Sequence, residues 1–299
     1  MTKSYPKNWT RLDIQKAFSA LPKDQILSVA NKIKDQIKSN PLLIKTKHNK
    51  DFVTMADLKI QQIILKYLSH SSLKDCYKIK AEEKLSTKEK AKNSDNKAWQ
   101  LIVDPLDGTG SFCRDEPTWG VMIGVCDRNG YLKYSWNLVS SGEIFSSSSK
   151  SVPPISWLKK IKQTGKIRID IYDYNAGASE RFAAIFEKIS GWKNQQYEII
   201  SYPAAVWVGW KLFKDELDGL LWLPSEKGKK NYPDYDLIFL GALEKKGYKI
   251  RLGKIDENIE MIAIAPTEYD LDLLFQIGLK MLPKDRKNFL IPCNELKIT

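Results

Sequence analysis

Carboxylates that end buried strands can hold metal ions, and this chain has several. In WQLIVDPLDGTGSF, Trp99 to Phe112, an apolar run stops at Asp104, Asp107 follows, and Gly108 and Thr109 come next. Asp57 opens a helical pattern after DFVTM. Glu82 and Glu83 close CYKIKAEE, and Asp236 heads YDLIFLGALEKKG with Asp234 as a rival beside it. Acids collected at one buried edge repel one another unless a cation lies between them. Magnesium suits such a set, because it takes oxygen ligands and leaves room for water and phosphate oxygens. Two histidines and four scattered cysteines (Cys76, Cys113, Cys126, Cys293) offer no zinc or copper set.

Within DPLDGT, Pro105 stiffens the exit from the strand, so that Asp104 and Asp107 can face one site with the Leu106 carbonyl between them. Gly108 lets the backbone approach a ligand closely, and the amides after Asp107 would start a helix, where phosphate binds well. Each residue also has an ordinary reading. Asp-Pro and Asp-Gly make turns, Asp57 and Asp236 can cap helices, and Glu82 can be a solvated loop charge.

The elements that must position these residues are readable from periodicity. Ile26, Leu27, Ala30, Ile33 and Ile37 predict a helix, with Asp24 as its cap after Pro22. Phe52 and Val53 predict a short extended piece, and Ile60, Ile63, Ile64, Tyr67 and Leu68 a helix beginning near Asp57. CYKIKAEE, WQLIVD, TWGVMIGVCD, YLKYSWNLVS and GEIFSS read as strands, with turns at Asn129-Gly130 and Ser141-Gly142. SSSSKSVPP is of low complexity and marks a boundary between two subdomains, 1–150 and 151–299. Beyond it, strands (KIRIDIYD, YEIIS, DGLLWL, YKIRL, EMIAIA) alternate with helices (ASERFAAIFEKI, PAAVWVGWKLF with Pro203 at its start, YDLIFLGALEKKG, TEYDLDLLFQIGLKML). The expected class is α/β, with an α+β first half and an α/β second half.

The 299 residues, 42% of them hydrophobic, suffice for a substantial core. No apolar run approaches the length of a membrane span, and MTKSYPKNWT lacks the apolar region of a secretory signal, so a reduced, cytoplasmic protein is expected. The net charge of +12 comes from lysines spread along the chain. That pattern reads as a solvated surface rather than a nucleic-acid patch, and it suits a small anionic substrate. Trp207 and Trp210 would share a helix face for core or dimer packing, and Cys113 reads as a small buried residue.

DPLDGT resembles the signature of the inositol monophosphatase superfamily, the magnesium-dependent, lithium-sensitive phosphomonoesterases. DFVTMAD is similar to that family's Thr-x-x-Asp segment, AEE to its Gly-Glu-Glu, and YDLIFLGALEKKG to its C-terminal Trp-Asp helix, all in family order. The resemblance implies a layered α-β-α-β-α sandwich with about two or three magnesium ions between the halves. It implies that Glu82, Asp104, the Leu106 carbonyl, Asp107 and Asp236 hold the metal. Asp57 and Thr109, with Glu82 beside them, would orient or deprotonate the attacking water. The Gly108 and Thr109 amides would hold phosphate, and Ala204 and Asp236 would face the substrate. Family members often pair as homodimers, so a homodimer is an expectation that no feature of this sequence carries.

Departures from the family pattern fall mostly on the substrate side. Ala81 and Tyr235 replace a glycine and a tryptophan, and no glycine-rich loop follows GEIF. SYPAAVWVGW stands where the family has Gly-Ser-Ala-Ala, and only Ala204 and Ala205 fit. Bisphosphate nucleotidases of the family carry a lysine near Val206 or Trp207, a place that only Lys211, one turn on, could fill here. Glu226 stands near the inositol-binding acid, and Lys227, Lys229 and Lys230 make either a basic rim or a solvated loop. The leading expectation is a magnesium-dependent phosphatase of inositol monophosphate or a sugar phosphate, acting by in-line attack of activated water. The alternatives are a 3′(2′),5′-bisphosphate nucleotidase acting on adenosine 3′,5′-bisphosphate, and a non-catalytic relative that binds or regulates.

Overall fold

The computed structural model describes residues 10–40, 42, 44–46, 52–71, 73, 77–84, 99–172, 177–223, 234–255, 258–282 and 290–297. The predictions for Cys76, Glu226, Lys227, Lys229 and Lys230 lie outside these residues. Helices α1 (Arg11–Ser19) and α2 (Lys23–Ser39) are separated at Pro22, so Asp24 sits in the first turn of α2 rather than capping it. A two-stranded ribbon, β1 (Lys45–Thr46) and β2 (Phe52–Val53), leads into α3 (Met55–Leu68). The first sheet follows: β3 (Tyr77–Ala81), β4 (Trp99–Asp107), β5 (Gly120–Asp127), β6 (Leu132–Val139) and β7 (Ile144–Ser146), in that spatial order. Only the β3–β4 pair is parallel. A short helix, α4 (Thr109–Cys113), lies between β4 and β5.

The second half contributes α5 (Trp157–Thr164), β8 (Ile167–Tyr172), α6 (Ala178–Ser190), β9 (Tyr197–Ile200), α7 (Ala205–Phe213) and β10 (Gly219–Trp222). A 3₁₀ turn (Asp234–Leu237), α8 (Leu240–Lys246), β11 (Lys249–Ile255), β12 (Asn258–Ala265), α9 (Glu268–Met281) and β13 (Ile291–Cys293) complete it. The second sheet runs β13-β11-β12-β10-β8-β9, and β8 pairs in parallel with both β9 and β10.

Alternation along the strands builds the layers. Leu101, Val103, Val121, Ile123 and Val125 pack on α1, α2 and α3, whereas Ile102 and Met122 face α7 and α8. In the second sheet Ile262 and Ile264 face α7 and α8 from the opposite side, and Met261, Ala263 and Ala265 face α5, α6 and α9. The result is the expected α-β-α-β-α sandwich, with α7 and α8 as its inner helical layer. Among the described residues, no helix is long and apolar enough to cross a membrane.

Some local expectations shift. α7 starts at Ala205 rather than at Pro203, and WLKKIKQT forms α5 although it carries few apolar residues. The serine run is packed at its start. Ser146 and Ser147 are buried, Ser135 N–H donates to Ser147 Oγ at 3.0 Å, and Ser147 Oγ–H donates to the Gly241 carbonyl at 3.1 Å.

Close packing inside the inner layer yields a test. A Cβ added at Gly209 of α7 would lie 2.6 Å from Phe239 Cδ2 and 2.9 Å from Phe239 Cβ. Overpacking of this kind costs about 1–3 kcal/mol, more than the ~1 kcal/mol that alanine gains over glycine in a helix. Gly209→Ala is therefore expected to lower the urea midpoint, and an unchanged midpoint would show that α7 and α8 have slack between them.

Candidate active site

The strand carrying the two aspartates contains an extra residue. Asp104 pairs with Met122 and Asp107 with Gly120, so β4 uses three steps where β5 uses two. Leu101 and Val103 face the outer helices and Ile102 the inner layer, which puts Asp104 on the inner face. Simple alternation would then send Asp107 outward. The bulge resets the phase, as bulges beside functional sites do. Leu106 packs in the outer cluster and Asp107 returns to the inner face beside α7. Pro105, which has no N–H to give to the ladder, sits in the bulge.

Backbone amides hold both carboxylates. Leu106 N–H donates to Asp104 Oδ1 at 3.1 Å, and Val206 N–H donates to Asp107 Oδ2 at 2.5 Å. The Ala205 and Gly108 amides also stabilise the Asp107 carboxylate. Ala204, at the N-cap of α7, offers no capping side chain, so Asp107 caps that helix from another element. The close approach requires glycine at Gly108, where φ is +81° and a Cβ would lie 2.5 Å from the Thr118 carbonyl oxygen and 2.9 Å from Ala204 Cβ.

Asp57 has two tasks. It is not the N-cap of α3; Thr54 is, and Asp57 closes the capping box. Its Oδ2 accepts Thr54 N–H and Oγ1–H, both at 2.7 Å. Its Oδ1 lies 3.2 Å from Thr109 Oγ1, which also lies 2.8 Å from the Leu106 carbonyl oxygen. The ordinary and the functional readings of Asp57 thus coexist on its two oxygens.

Parallel pairing brings in the glutamates. Ala81 lies opposite Val103 and Glu82 N–H donates to the Val103 carbonyl at 3.0 Å, which sets Glu82 beside Asp104. Burial pushes the Asp104 carboxyl well above the usual carboxylate range, and Glu82, Asp107 and Asp236 push it further. Burial raises Asp107 to about 7 against the pull of the Val206 amide, with Glu82 adding to the rise. Burial raises Asp57 to about 6 against its bonds to Thr54, and Glu82 and Glu83 contribute. Asp236 therefore stands with the cluster, whereas Asp234 is paired with Lys80.

Among the described residues, no three acidic, histidine or cysteine side chains close around one point as a metal cage. The donors are carboxylate and carbonyl oxygens, which fit magnesium or calcium and not zinc. Cys113 is half-buried, and burial pushes its thiol up to about 11, so it stays protonated near neutral pH.

A cavity of about 80 Å³ opens beside the cluster, lined by Asp107 and Asp236 together with Tyr172, Tyr202, Pro203, Ala204, Ala205 and Trp222. The three aromatic residues were not foreseen, since 172, 202 and 222 share no local motif. The depression of about 820 Å³ along α2 shares no residue with the acids. Lys211 is engaged elsewhere. Its Nζ lies 2.5 Å from Glu216 Oε2 and 5.3 Å from the centre of the Trp207 ring. Trp210 packs on Phe145 and Phe213 in the core.

Residues 15–135 match the family described as inositol monophosphatase. Inositol monophosphatase 1 of Sus scrofa is 32% identical over 108 residues, 34% of this chain and 33% of that protein. The matched stretch thus spans about a third of the curated relative's length. The extragenic suppressor protein suhB of Bartonella henselae superposes with a TM-score of 0.62 at 14% identity, covering 89% of this chain and 97% of its own. An IMPase/NADP phosphatase solved with Mg²⁺ and phosphate gives 0.54 at 16% identity, covering 85% and 93%. At such identities these two are likenesses of fold, and they join the family match and the ordered motifs.

Over residues 15–135 the chain is similar to the inositol monophosphatase family.

Its acid cluster makes a prediction that needs no turnover. Asp57 at about 6 and Asp107 at about 7 keep protons in the folded state that the unfolded chain has already released. With more protons bound in the native state, their contribution to stability falls as pH rises toward these values. A bound divalent cation cancels that loss. The rise in melting temperature on adding magnesium is expected to be larger at about pH 8 than at about pH 5. A magnesium effect independent of pH would separate the ion from these carboxylates.

Proposed function

We propose that this chain is a member of the inositol monophosphatase superfamily and a magnesium-dependent phosphomonoesterase acting on a small phosphate ester, with water as the nucleophile. The observation that carries this reading is the bulge at Pro105, which turns Asp104 and Asp107 to one face beside Glu82 and Asp236, next to the Asp57–Thr109 contact. Mutually repelling acids on an oxygen-only site call for a hard cation. Glu82, Asp104, the Leu106 carbonyl, Asp107 and Asp236 would hold magnesium. When bound, it would supply Lewis-acid compensation for the charge on the phosphoryl oxygens.

The chain's own groups do the rest. The Thr109 amide at the start of α4 would receive a phosphate oxygen, and the Gly108 N–H, which the Asp107 carboxylate holds here, would join it only on being released from that bond. The Thr109 hydroxyl, held at Asp57 Oδ1, orients a water for in-line attack. Asp57, raised to about 6, is tuned to take that water's proton through the hydroxyl near neutral pH. Its second oxygen stays on Thr54, so the base is fixed by the helix cap. No covalent step on the enzyme is required. Lithium inhibition and a cytosolic setting belong to the same reading.

The engagement of Lys211 by Glu216 weighs against a second phosphate held by that lysine, so a monoester is favoured over a bisphosphate. The test is phosphate release from inositol 1-phosphate, fructose 1,6-bisphosphate and adenosine 3′,5′-bisphosphate with magnesium present. Release from one of them is expected, and silence on all would favour a non-catalytic binding protein. Asp107→Asn keeps an amide acceptor for α7 and removes the charge. It is expected to lower turnover by roughly 100-fold or more, beyond the loss of an outer partner, with the melting curve nearly unmoved. Full activity in that variant would sink the metal assignment.

A further inference from the structure

Three aromatic residues from distant parts of the chain meet at the cavity beside the acids. Tyr172 ends β8, Tyr202 follows β9 and Trp222 ends β10. Parallel pairing explains the meeting. β8 lies between β9 and β10, with Asp170 opposite Leu220 and Tyr172 opposite Trp222. The three strands end together, and the carboxyl ends of parallel strands are where open α/β sheets seat ligands. Ile167, Ile169 and Ile171 pack on the outer helices. Alternation therefore turns Asp170 and Tyr172 to the inner face.

Asp170 is fully buried. Its Oδ1 accepts the Trp222 Nε1–H at 3.1 Å, and its Oδ2 accepts the Tyr202 N–H at 3.0 Å. Both donors are neutral, and burial pushes the carboxyl up to about 7. A carboxylate set on neutral donors inside a core is less stable than an apolar side chain of similar volume. What this one does hold is position, for it ties the indole of Trp222 and the backbone at Tyr202 to one point. Trp222 in turn lies 5.9 Å from the Tyr172 ring and 5.7 Å from the Phe239 ring, centre to centre.

We propose that Asp170 is a positioning residue that fixes Trp222 and Tyr202 as walls of an aromatic slot, and that the slot takes a planar ring carried by the leaving alcohol. Besides Asp107 and Asp236, the described lining consists of these aromatics, a proline and two alanines. Flat apolar faces stack on rings. Each hydroxyl of a polyol needs its own hydrogen-bond partner, and the described lining offers it the two tyrosine hydroxyls, the Asp107 and Asp236 carboxylates being assigned to the metal. The shared chemistry is the planar ring, aryl or nucleoside.

The inference rests on the phosphatase reading for its kinetic arm alone. In that arm, phenyl phosphate and adenosine 3′-monophosphate are compared with glycerol 2-phosphate, with magnesium present. The ring esters are expected to show KM values about 10-fold lower, and the lower of the two tells aryl from nucleoside. Asp170→Asn weakens the tie, and Trp222→Phe removes the Nε1–H while keeping a ring. Each is expected to raise the ring-ester KM about 5-fold with kcat within about twofold, and to raise the glycerol 2-phosphate KM by clearly less. Tyr202→Leu keeps the backbone bond to Asp170, removes the ring, and is expected to raise the ring-ester KM about 10-fold. If Asp170→Asn does not fold, Tyr202→Leu carries the same comparison.

The second arm is saturation-transfer NMR on the full chain with adenosine, phenol and myo-inositol, none of which needs turnover. Transfer to the ring protons of adenosine or phenol, lost in Tyr202→Leu, is expected, with none to myo-inositol. Ring binding without cleavage of any ester keeps the slot and overturns the phosphatase reading. Cleavage with equal KM for ring and polyol esters does the reverse. A lowering of kcat on both ester classes alike by Asp170→Asn and Trp222→Phe also overturns the slot, because a merely structural carboxylate would act that way.

Discussion

Like charges pressed together at a buried bulge are the constraint that the surrounding structure answers. Asp104 and Asp107 reach one face only because β4 carries an extra residue, and Glu82 and Asp236 are brought against them. Leu106, Val206, Ala205 and Gly108 direct backbone N–H groups at the carboxylates, and Thr54 does the same for Asp57. Such bonds favour the charged forms. Yet all three aspartates lie above the usual carboxylate range, so burial and repulsion outweigh the amides. The protein supplies partial compensation, and a hard cation is the remaining term.

The same constraint explains why the inner helical layer belongs to the site and is not only packing. α7 enters against glycines. Gly108 admits Ala204, and at Gly120 a Cβ would lie 2.4 Å from the Leu138 carbonyl oxygen and 2.9 Å from Val206 Cγ1. These contacts bring the first turn of α7 to Asp107, which caps it. A helix from the second half of the chain therefore needs a carboxylate from the first, and that carboxylate needs the helix amides. Neither the cap nor the acid cluster is complete until both halves have packed.

Much of this was legible in the sequence, for identifiable reasons. Strands such as TWGVMIGVCD and EMIAIA show as continuous apolar runs buried on both faces, and helices with clean apolar stripes carry their own period. DPLDGT stood out because proline, glycine and paired acids are each constrained residues, and the structure gives it a bulge and a left-handed glycine. The capping box of Thr54 and Asp57 was also open to reading, but a Thr-x-x-Asp match and an N-cap look like rival explanations until two separate oxygens are seen. α5 was missed because WLKKIKQT buries only its tryptophan. Composition marks the serine run as a boundary but does not reveal that Ser147 is bonded to Ser135 and Gly241. The aromatic walls had no local signal, since parallel register and not sequence proximity brings Tyr172, Tyr202 and Trp222 together. One trace existed, the single acid in IRIDIY, on the face where a strand between two helical layers should be apolar.

The two sheets divide the work, and this bears on why the chemistry reads clearly and the substrate does not. The acids Glu82, Asp104 and Asp107 come from the end of the first sheet, where one strand bulge and one parallel pair fix them. The cavity walls come from the end of the second sheet, where Tyr172 and Trp222 are held by register and by Asp170. On the proposed function, a change in the second group would alter which alcohol fits and leave Glu82 and Asp104 in place. A change in the first abolishes the charge balance whatever the alcohol. SYPAA adjoins both groups, since Tyr202 and Ala204 line the cavity together with Asp107 and Trp222.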